Sequence, residues 1–344
     1  MTNWMAALAA HHRAMRQKYP QDELMILFDI DGTILDLRHM MLYLLQRYDR
    51  DHGAEHFRNL ALTEIDVHEN SMDQFLMRLG LDEAARTQIE AWYLERYWSS
   101  ETIAASHYAF DQVLDVIRWF QIQPRTTVGL NTGRFERLRA DTLLSLNRLG
   151  DAHGVHFTDE LLYTRPDDWT EGVSTRKVMG IRQVQAQGYR VIAFIDNEPG
   201  NLAAIAQSDV ADEMLLLHAD TIFLSPLDVL PTTAIQGDQY ALTDLITEEQ
   251  LPAGLDLVWH GVNDPINLRH FSPVRWGRTD VNLIHRAALD FATRHLCRAT
   301  GGAGRDVVDP EALAACQQWG KAVKLDFKVG GAWLEQALTS PGAL

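Results

Sequence analysis

Three short apolar runs stand out along the chain: Leu24-Met25-Ile26-Leu27-Phe28, Thr126 to Leu130, and Val191 to Ile195. None alternates with polar residues as a strand wetted on one face would, so each suits a strand buried on both faces of a parallel sheet. Each breaks at its C-terminal end into polar residues: Asp29-Ile30-Asp31-Gly32, Asn131-Thr132-Gly133 and Asp196-Asn197. In an open α/β sheet, ligands bind outside the carboxyl ends of the strands. The polar residues are therefore expected to converge on one edge.

Between the runs, apolar residues recur at helical spacing over Phe135 to Leu149 and Arg176 to Gln187, without internal proline. Strand and helix in alternation predict a doubly wound α/β fold with a parallel sheet. From Leu37 to about Phe120 the pattern is helical throughout. Met40, Met41, Leu44, Leu45 and Tyr48 form one apolar stripe, and Phe75, Leu76, Leu79 and Leu81 another. This stretch reads as a helical insert after the first strand. The organisation expected is an N-terminal helix over 1–20, a core over 21–224 with the insert at 37–120, a linker over 225–254 and a further α/β segment over 255–344. The linker is suggested by Ser225-Pro226, Pro231 and Pro252-Ala253-Gly254 in a stretch of weak periodicity.

Composition narrows the function classes. Lys and Arg number 31 against 47 Asp and Glu, a net charge of −16. That disfavours a nucleic-acid or anionic-membrane partner, whose affinity rests on Lys and Arg, while leaving room for a local basic pocket. Only Cys297 and Cys316 are present, which makes neither a disulfide framework nor a thiolate metal site. No apolar stretch approaches the roughly 20 residues of a spanning helix. Met1 to Tyr19 is interrupted by His11, His12, Arg13 and Arg16, unlike a signal peptide, so a cytoplasmic location is expected.

The chemistry is concentrated at Asp29 and Asp31. Two residues apart at a strand end, their side chains share a side. Such a pair can form part of an oxygen site for a hard divalent cation and can divide nucleophilic from acid/base work. A plain Asp-x-Asp-Gly turn is the alternative. The run Phe28-Asp29-Ile30-Asp31-Gly32-Thr33-Ile34-Leu35-Asp36 resembles the first motif of the haloacid dehalogenase (HAD) superfamily at every position. Leu130-Asn131-Thr132-Gly133-Arg134 is similar to the second, a strand ending in Ser or Thr. Lys177 is placed for the third, and Phe194-Ile195-Asp196-Asn197-Glu198 for the fourth, a strand ending in acidic residues. The ordered set spans Leu24 to about Leu224, with the insert where that family carries its first cap.

The resemblance implies roles. Asp29 would attack phosphorus and become an aspartyl phosphate, while Asp31 would protonate the leaving oxygen and later activate water. Thr132 and the N–H groups of Gly133 and Arg134 would hold phosphoryl oxygens. Lys177, the only lysine between Lys18 and Lys321, would neutralise charge on the nucleophile and the transferring group; Arg134 or Arg176 could substitute. Mg²⁺ would be held by carboxylate oxygens of Asp29 and Asp196 and the carbonyl of Asp31. Many relatives carry a second acid after the first in the fourth motif. Here that residue is Asn197, with Glu198 next to it.

The C-terminal segment is similar, from about Leu255 to Leu338, to the opening of the menorin-type relatives of glycerophosphodiester phosphodiesterases. Leu257 to Asn263, Trp276 to Asn282 and Lys324-Leu325-Asp326-Phe327-Lys328 carry that likeness. Arg278 stands where those proteins carry a metal-binding Glu, and the segment is too short for a barrel of roughly 250 residues. The expectation is part of a TIM barrel without its own active site, with His260 and Asp280 structural and its strand edges covered by the core or by a second copy of the chain. For the whole chain the expected substrate is a small phosphorylated metabolite, hydrolysed as a phosphomonoester. A phosphomutase, or a non-enzymatic module docking a partner through the C-terminal segment, are the alternatives. Specificity is expected in the insert, whose His39, Arg47, Arg50 and His68 could touch a substrate, though each is read first as solvated.

Overall fold

The computed structural model describes residues 3–221 and 227–245, and the backbone of two short strands, Arg275–Trp276 and Thr279–Asp280. Residues Met1–Gln121 and Arg125–Tyr240 make one unit. It is built on six parallel strands: β1 (Glu23–Phe28), β2 (Thr126–Phe135), β3 (Leu162–Arg165), β4 (Tyr189–Asp196), β5 (Leu215–Ala219) and β6 (Ile235–Gly237). Their order in the sheet is β3-β2-β1-β4-β5-β6. This is the doubly wound α/β fold expected from the apolar runs. From β1 the chain proceeds outward through β2 and β3, then returns to the other side of β1 for β4. The crevice between β1 and β4 is therefore the topological switch point, where such sheets bind ligands.

Both faces of the sheet are covered, which explains why its strands lack alternation. Met25 to Phe28 are all fully buried, although successive side chains point to opposite faces. On one face, Met25 and Leu27 pack with Val178, Ile181 and Val184 of a helix over Val173–Ala186 and with Leu202 and Ile205 of another over Pro199–Ala206. In chain order these are α8 and α9, the helix over Arg139–Gly150 being α7. On the other face lie α1 (Trp4–Lys18) and α6 (Val113–Gln121), which meet where the His12 and Phe120 rings pack edge to face. Helix α1 starts at Asn3, whose side chain accepts the N–H groups of Met5 and Ala6. It ends just before Pro20, which cannot continue a helix.

The insert comprises α2 (Arg38–His52), α3 (Met72–Arg78), α4 (Glu83–Tyr97) and α5 (Ser100–Ser106). It has its own apolar core, in which Met41, Leu44 and Leu45 of α2 meet Phe75 and Leu76 of α3 and Ile89 and Tyr93 of α4. Each such buried side chain contributes roughly 1.5–3 kcal/mol, enough to hold four short helices as one body. Two adjacent strands of chain join it to the sheet: the Asp36 N–H donates to Tyr108 O and the Phe110 N–H to Ile34 O, both at 2.9 Å.

Three boundaries differ from those expected. The insert closes near Ser106, because α6 carries its apolar side to the sheet and not to the insert. The N-terminal helix is no separate segment: Trp4 and Met5 are buried, and the Trp4 indole donates to Gln239 O at 2.7 Å. The stretch read as a linker from 225 holds a 3-10 turn at Leu227–Val229 and β6, which pairs with β5. Three residues make too short a run to register as periodicity. In the second unit, two short strands pair antiparallel, Arg275 opposite Asp280 and Trp276 opposite Thr279. His260, Arg278, the Lys324 to Lys328 run and the remaining expectations for 255–344 lie outside the described residues.

Candidate active site

Strand geometry brings Asp29 and Asp196 together. Each ends a central strand, and the Asp29 N–H donates to Ile195 O at 2.9 Å. Beyond Asp29 the chain turns sharply. Gly32 sits at φ +76°, and a Cβ there would come within 2.4 Å of Asn197 Nδ2. Only glycine satisfies both conditions at low cost. The turn is tied from behind by Tyr240, whose hydroxyl donates to Thr33 O at 2.9 Å.

Lys177 rises from α8 into the switch point. Its side chain is 1% exposed, and its Nζ lies 2.5 Å from Asp29 Oδ1, 2.9 Å from Asp196 Oδ2 and 2.7 Å from Asn131 O. Three donors meet three acceptors, so the ammonium is saturated. Asn131 returns the contact by donating to Lys177 O at 2.8 Å, which fixes α8 against β2. Burial alone pushes Lys177 down, but Asp196 and Asp29 outweigh it and hold it above its ordinary value. Burial dominates at Asp29, with Asp196 and Asp31 adding repulsion against the pull of Lys177, and pushes it up to about 8. Asp196 Oδ1 accepts the Glu198 N–H at 2.8 Å, and the Asn201 amide straddles both oxygens at 3.2 and 3.1 Å.

Asp31 is held by Arg134. The guanidinium donates from Nε to Oδ2 at 2.8 Å and from Nη2 to Oδ1 at 2.6 Å, the bidentate fork that suits a carboxylate. Arg134 is itself clamped, donating to Thr142 Oγ1 at 3.0 Å and to His107 Nε2 at 3.1 Å, with its Cζ 4.9 Å from the Trp98 ring centre. An arginine only donates, so His107 Nε2 accepts and its Nδ1–H points to Ser145 Oγ at 2.8 Å. Burial, then Arg134 and Arg148, push His107 down to about 2, which agrees with a neutral ring.

These residues open on one cavity of about 450 Å³, lined by Asp29, Asp31, Gly133, Arg134 and Lys177. Of the residues read as holding a phosphoryl group, Thr132 does not line it. Thr132 is fully buried, and its hydroxyl accepts the Arg134 N–H at 3.2 Å, which occupies that amide as well. The cause is the length of β2. It runs on through the polar residues to Phe135, with a register break after Asn131, and keeps Thr132 inside the sheet. Arg176 donates to Thr164 O, away from the cavity. Among the insert residues, half-buried His68 lines the cavity, where it could touch a substrate, and is not simply solvated. It lies 3.1 Å from Glu69 and 3.3 Å from Glu198. Burial lowers His68, but Glu198 and Glu69 together hold it above its ordinary value; Glu69 is pushed up to about 7, chiefly by burial. His39 stacks on Tyr108, Arg47 pairs with Glu101 and Arg50 is exposed. The Arg134 side-chain role, His107, Asn201 and Trp98 were not legible in the sequence. Only Arg134, adjacent to the Thr-Gly pair, carried a local signal.

The donor set suits a hard cation in kind. Two buried carboxylates face a single lysine, and the Asn201 contact, shared between two oxygens, is the weakest on Asp196 and the one that would yield. Mg²⁺ is commonly held by one or two carboxylates with water and substrate oxygens. Among the described residues no group of three His, Cys, Asp or Glu side chains forms a complete cage. No helix among them is long and apolar enough to cross a membrane.

No family model matches the sequence, and no curated protein matches it. Solved structures share part of its shape. A haloacid dehalogenase-like hydrolase from Streptococcus pneumoniae is 13% identical, with 62% of this chain and 94% of that one covered at a TM-score of 0.39. A HAD-superfamily hydrolase of subfamily IA from Geobacter sulfurreducens is 12% identical, covering 63% and 92% at 0.41. Protein tyrosine kinase A of Mycobacterium tuberculosis is 16% identical, covering 64% and 95% at 0.37. Similarities at this level do not distinguish hydrolase from kinase, and function has to be read from the site.

Proposed function

We propose that this chain is a Mg²⁺-dependent phosphomonoesterase of the HAD type, with Asp29 as nucleophile. The observation that carries the reading is the convergence of Asp29, Asp196 and Lys177 at the switch point, with Asp31 presented to the same cavity by Arg134. Asp29 attacks phosphorus, the bond to the leaving oxygen breaks, and the enzyme is left as an aspartyl phosphate. Lys177 holds the nucleophilic carboxylate in place and offsets charge that builds on the transferring group. Gly133, with no side chain at the cavity wall, leaves room for phosphoryl oxygens. Asp31 gives a proton to the leaving group and takes one from the water that attacks the intermediate.

Asp29, Asp196 and the Asp31 carbonyl would hold Mg²⁺. When bound, the cation neutralises charge on the phosphoryl oxygens and lowers the repulsion between the two carboxylates. The substrate in this reading is a small phosphorylated metabolite. The test is hydrolysis of p-nitrophenyl phosphate by the full chain, with Mg²⁺ and with EDTA. Turnover should need the metal, and Asp29→Asn should lose at least a thousandfold in kcat while unfolding as cooperatively as the wild type. Substantial turnover by Asp29→Asn would remove Asp29 from the chemistry.

A further inference from the structure

One end of the cavity is not balanced in charge. Lys177 is taken up by Asp29 and Asp196, and Arg134 by Asp31. Arg165, the last residue of β3, lines the same cavity. Its Nε is buried with no hydrogen-bond partner, and among the described residues no carboxylate pairs with it. Its guanidinium lies 3.8 Å from the centre of the Phe135 ring, and that of Arg137 lies 4.2 Å from the same centre. Arg137 has Asp167 at 3.0 Å as its counter-ion. Burial, then the neighbouring Arg137, holds Arg165 below its ordinary value. A guanidinium laid on an aromatic ring keeps its donor edge oriented before a ligand arrives.

Position separates this group from the transferring phosphoryl. Strand β3 lies two places from β1, with β2 between them. Neighbouring strands are spaced by nearly 5 Å, which sets the Arg165 backbone about 10 Å to the side of Asp29. A phosphate alone fills a small part of the cavity, so the remainder of the substrate extends along its wall.

We propose that Arg165 is a specificity-determining residue that binds a second anionic group on the substrate, so that the site selects phosphomonoesters carrying a carboxylate or a further phosphate at their far end. This rests on the reading of Asp29 as the phosphoryl acceptor. The fork of the guanidinium matches either anion through two parallel hydrogen bonds. A charge-assisted contact of this kind changes affinity by about tenfold to a hundredfold. Because the second anion takes no part in bond breaking, the effect belongs in KM and not in kcat.

The experiment uses the full chain with Mg²⁺ and two substrate pairs. 3-Phosphoglycerate and glycerol 3-phosphate differ by a carboxylate in place of a hydroxymethyl group. Fructose 1,6-bisphosphate and fructose 1-phosphate differ by a second phosphate. In the wild type, the member with the extra anion should be favoured in kcat/KM by about tenfold to a hundredfold in at least one pair, through KM. The pair that shows the preference identifies the anion. Arg165→Gln should bring that ratio near one, and Arg165→Lys, which keeps charge but not the fork, should restore part of it. The proposal is overturned if neither pair shows a preference, or if the preference survives in Arg165→Gln. It is overturned equally if both members of a pair lose in proportion, which would place Arg165 on the transferring phosphoryl. A wild type that hydrolyses no phosphomonoester, p-nitrophenyl phosphate included, would instead defeat the reading of Asp29 on which the proposal stands.

Discussion

Replacing Arg134 with methionine removes the most connected side chain of the site. Arg134 is 1% exposed at its side chain and serves Asp31 twice, Thr142 once and His107 once. Methionine fills much of the volume but leaves Asp31 without its cation and the His107 and Thr142 acceptors without a donor. Removing one partner of a buried pair costs about 3–5 kcal/mol. Asp31 is 18% exposed at its side chain and keeps some access to water, which moves the expected loss toward about 3 kcal/mol. Urea unfolding of the full chain measures this as a fall in the first transition midpoint at constant slope. The double variant with Asp31→Asn separates the pair from simple packing. If the ion pair dominates, Arg134→Met should cost about 2 kcal/mol less in the Asp31→Asn background than in the wild type. A loss below about 0.5 kcal/mol, or an equal loss in both backgrounds, would refute the assignment of Arg134 as the group that holds Asp31.

Gly32→Ala should destabilise by about 2 kcal/mol, since it combines a left-handed φ with a clash against Asn197; an unchanged unfolding midpoint would show that the turn relaxes freely. His12 is buried against Thr126 and is pushed down to about 4 by burial, then by Arg16. Its folded value lies below the unfolded one, so the stability tied to its neutral form is complete above pH 6.5 and is lost as pH falls toward 4, by up to about 3 kcal/mol. The difference in unfolding free energy between wild type and His12→Gln, followed from pH 7 to pH 4, should shrink accordingly, and a pH-independent difference would contradict this. Asp31→Asn should slow breakdown of the phosphorylated enzyme more than its formation, so intact-protein mass spectrometry of the quenched reaction should find a phosphate adduct; wild-type turnover in that variant would exclude the acid/base role.

The central strands and the residues that end them were legible in the sequence because their signal is local. A strand buried on both faces must be apolar at every position, and a chain that turns back over a ligand edge must break into glycine and polar groups. Asp29, Asp31 and Asp196 could be placed at strand ends for that reason, and Lys177 through the motif resemblance; Asp29, Asp31 and Lys177 line one cavity, with Asp196 against Lys177. What tertiary structure alone decided is how those groups are partnered. β2 continues past Asn131 to pair with β3 again at Phe135, which no run of side chains records, and Thr132 lies buried within the break. β3, β5 and β6 are too short to carry a period, yet they pair on a sheet already formed. The Arg134 fork reaches Asp31 across 103 positions of sequence, and His107 supports it from the end of the insert. Such contacts depend on distances set by strand spacing and helix packing. Spacing along the chain carries no trace of them, so the sequence named the candidate groups while the fold determined how each is held and brought Arg165, which the sequence did not single out, to the same cavity.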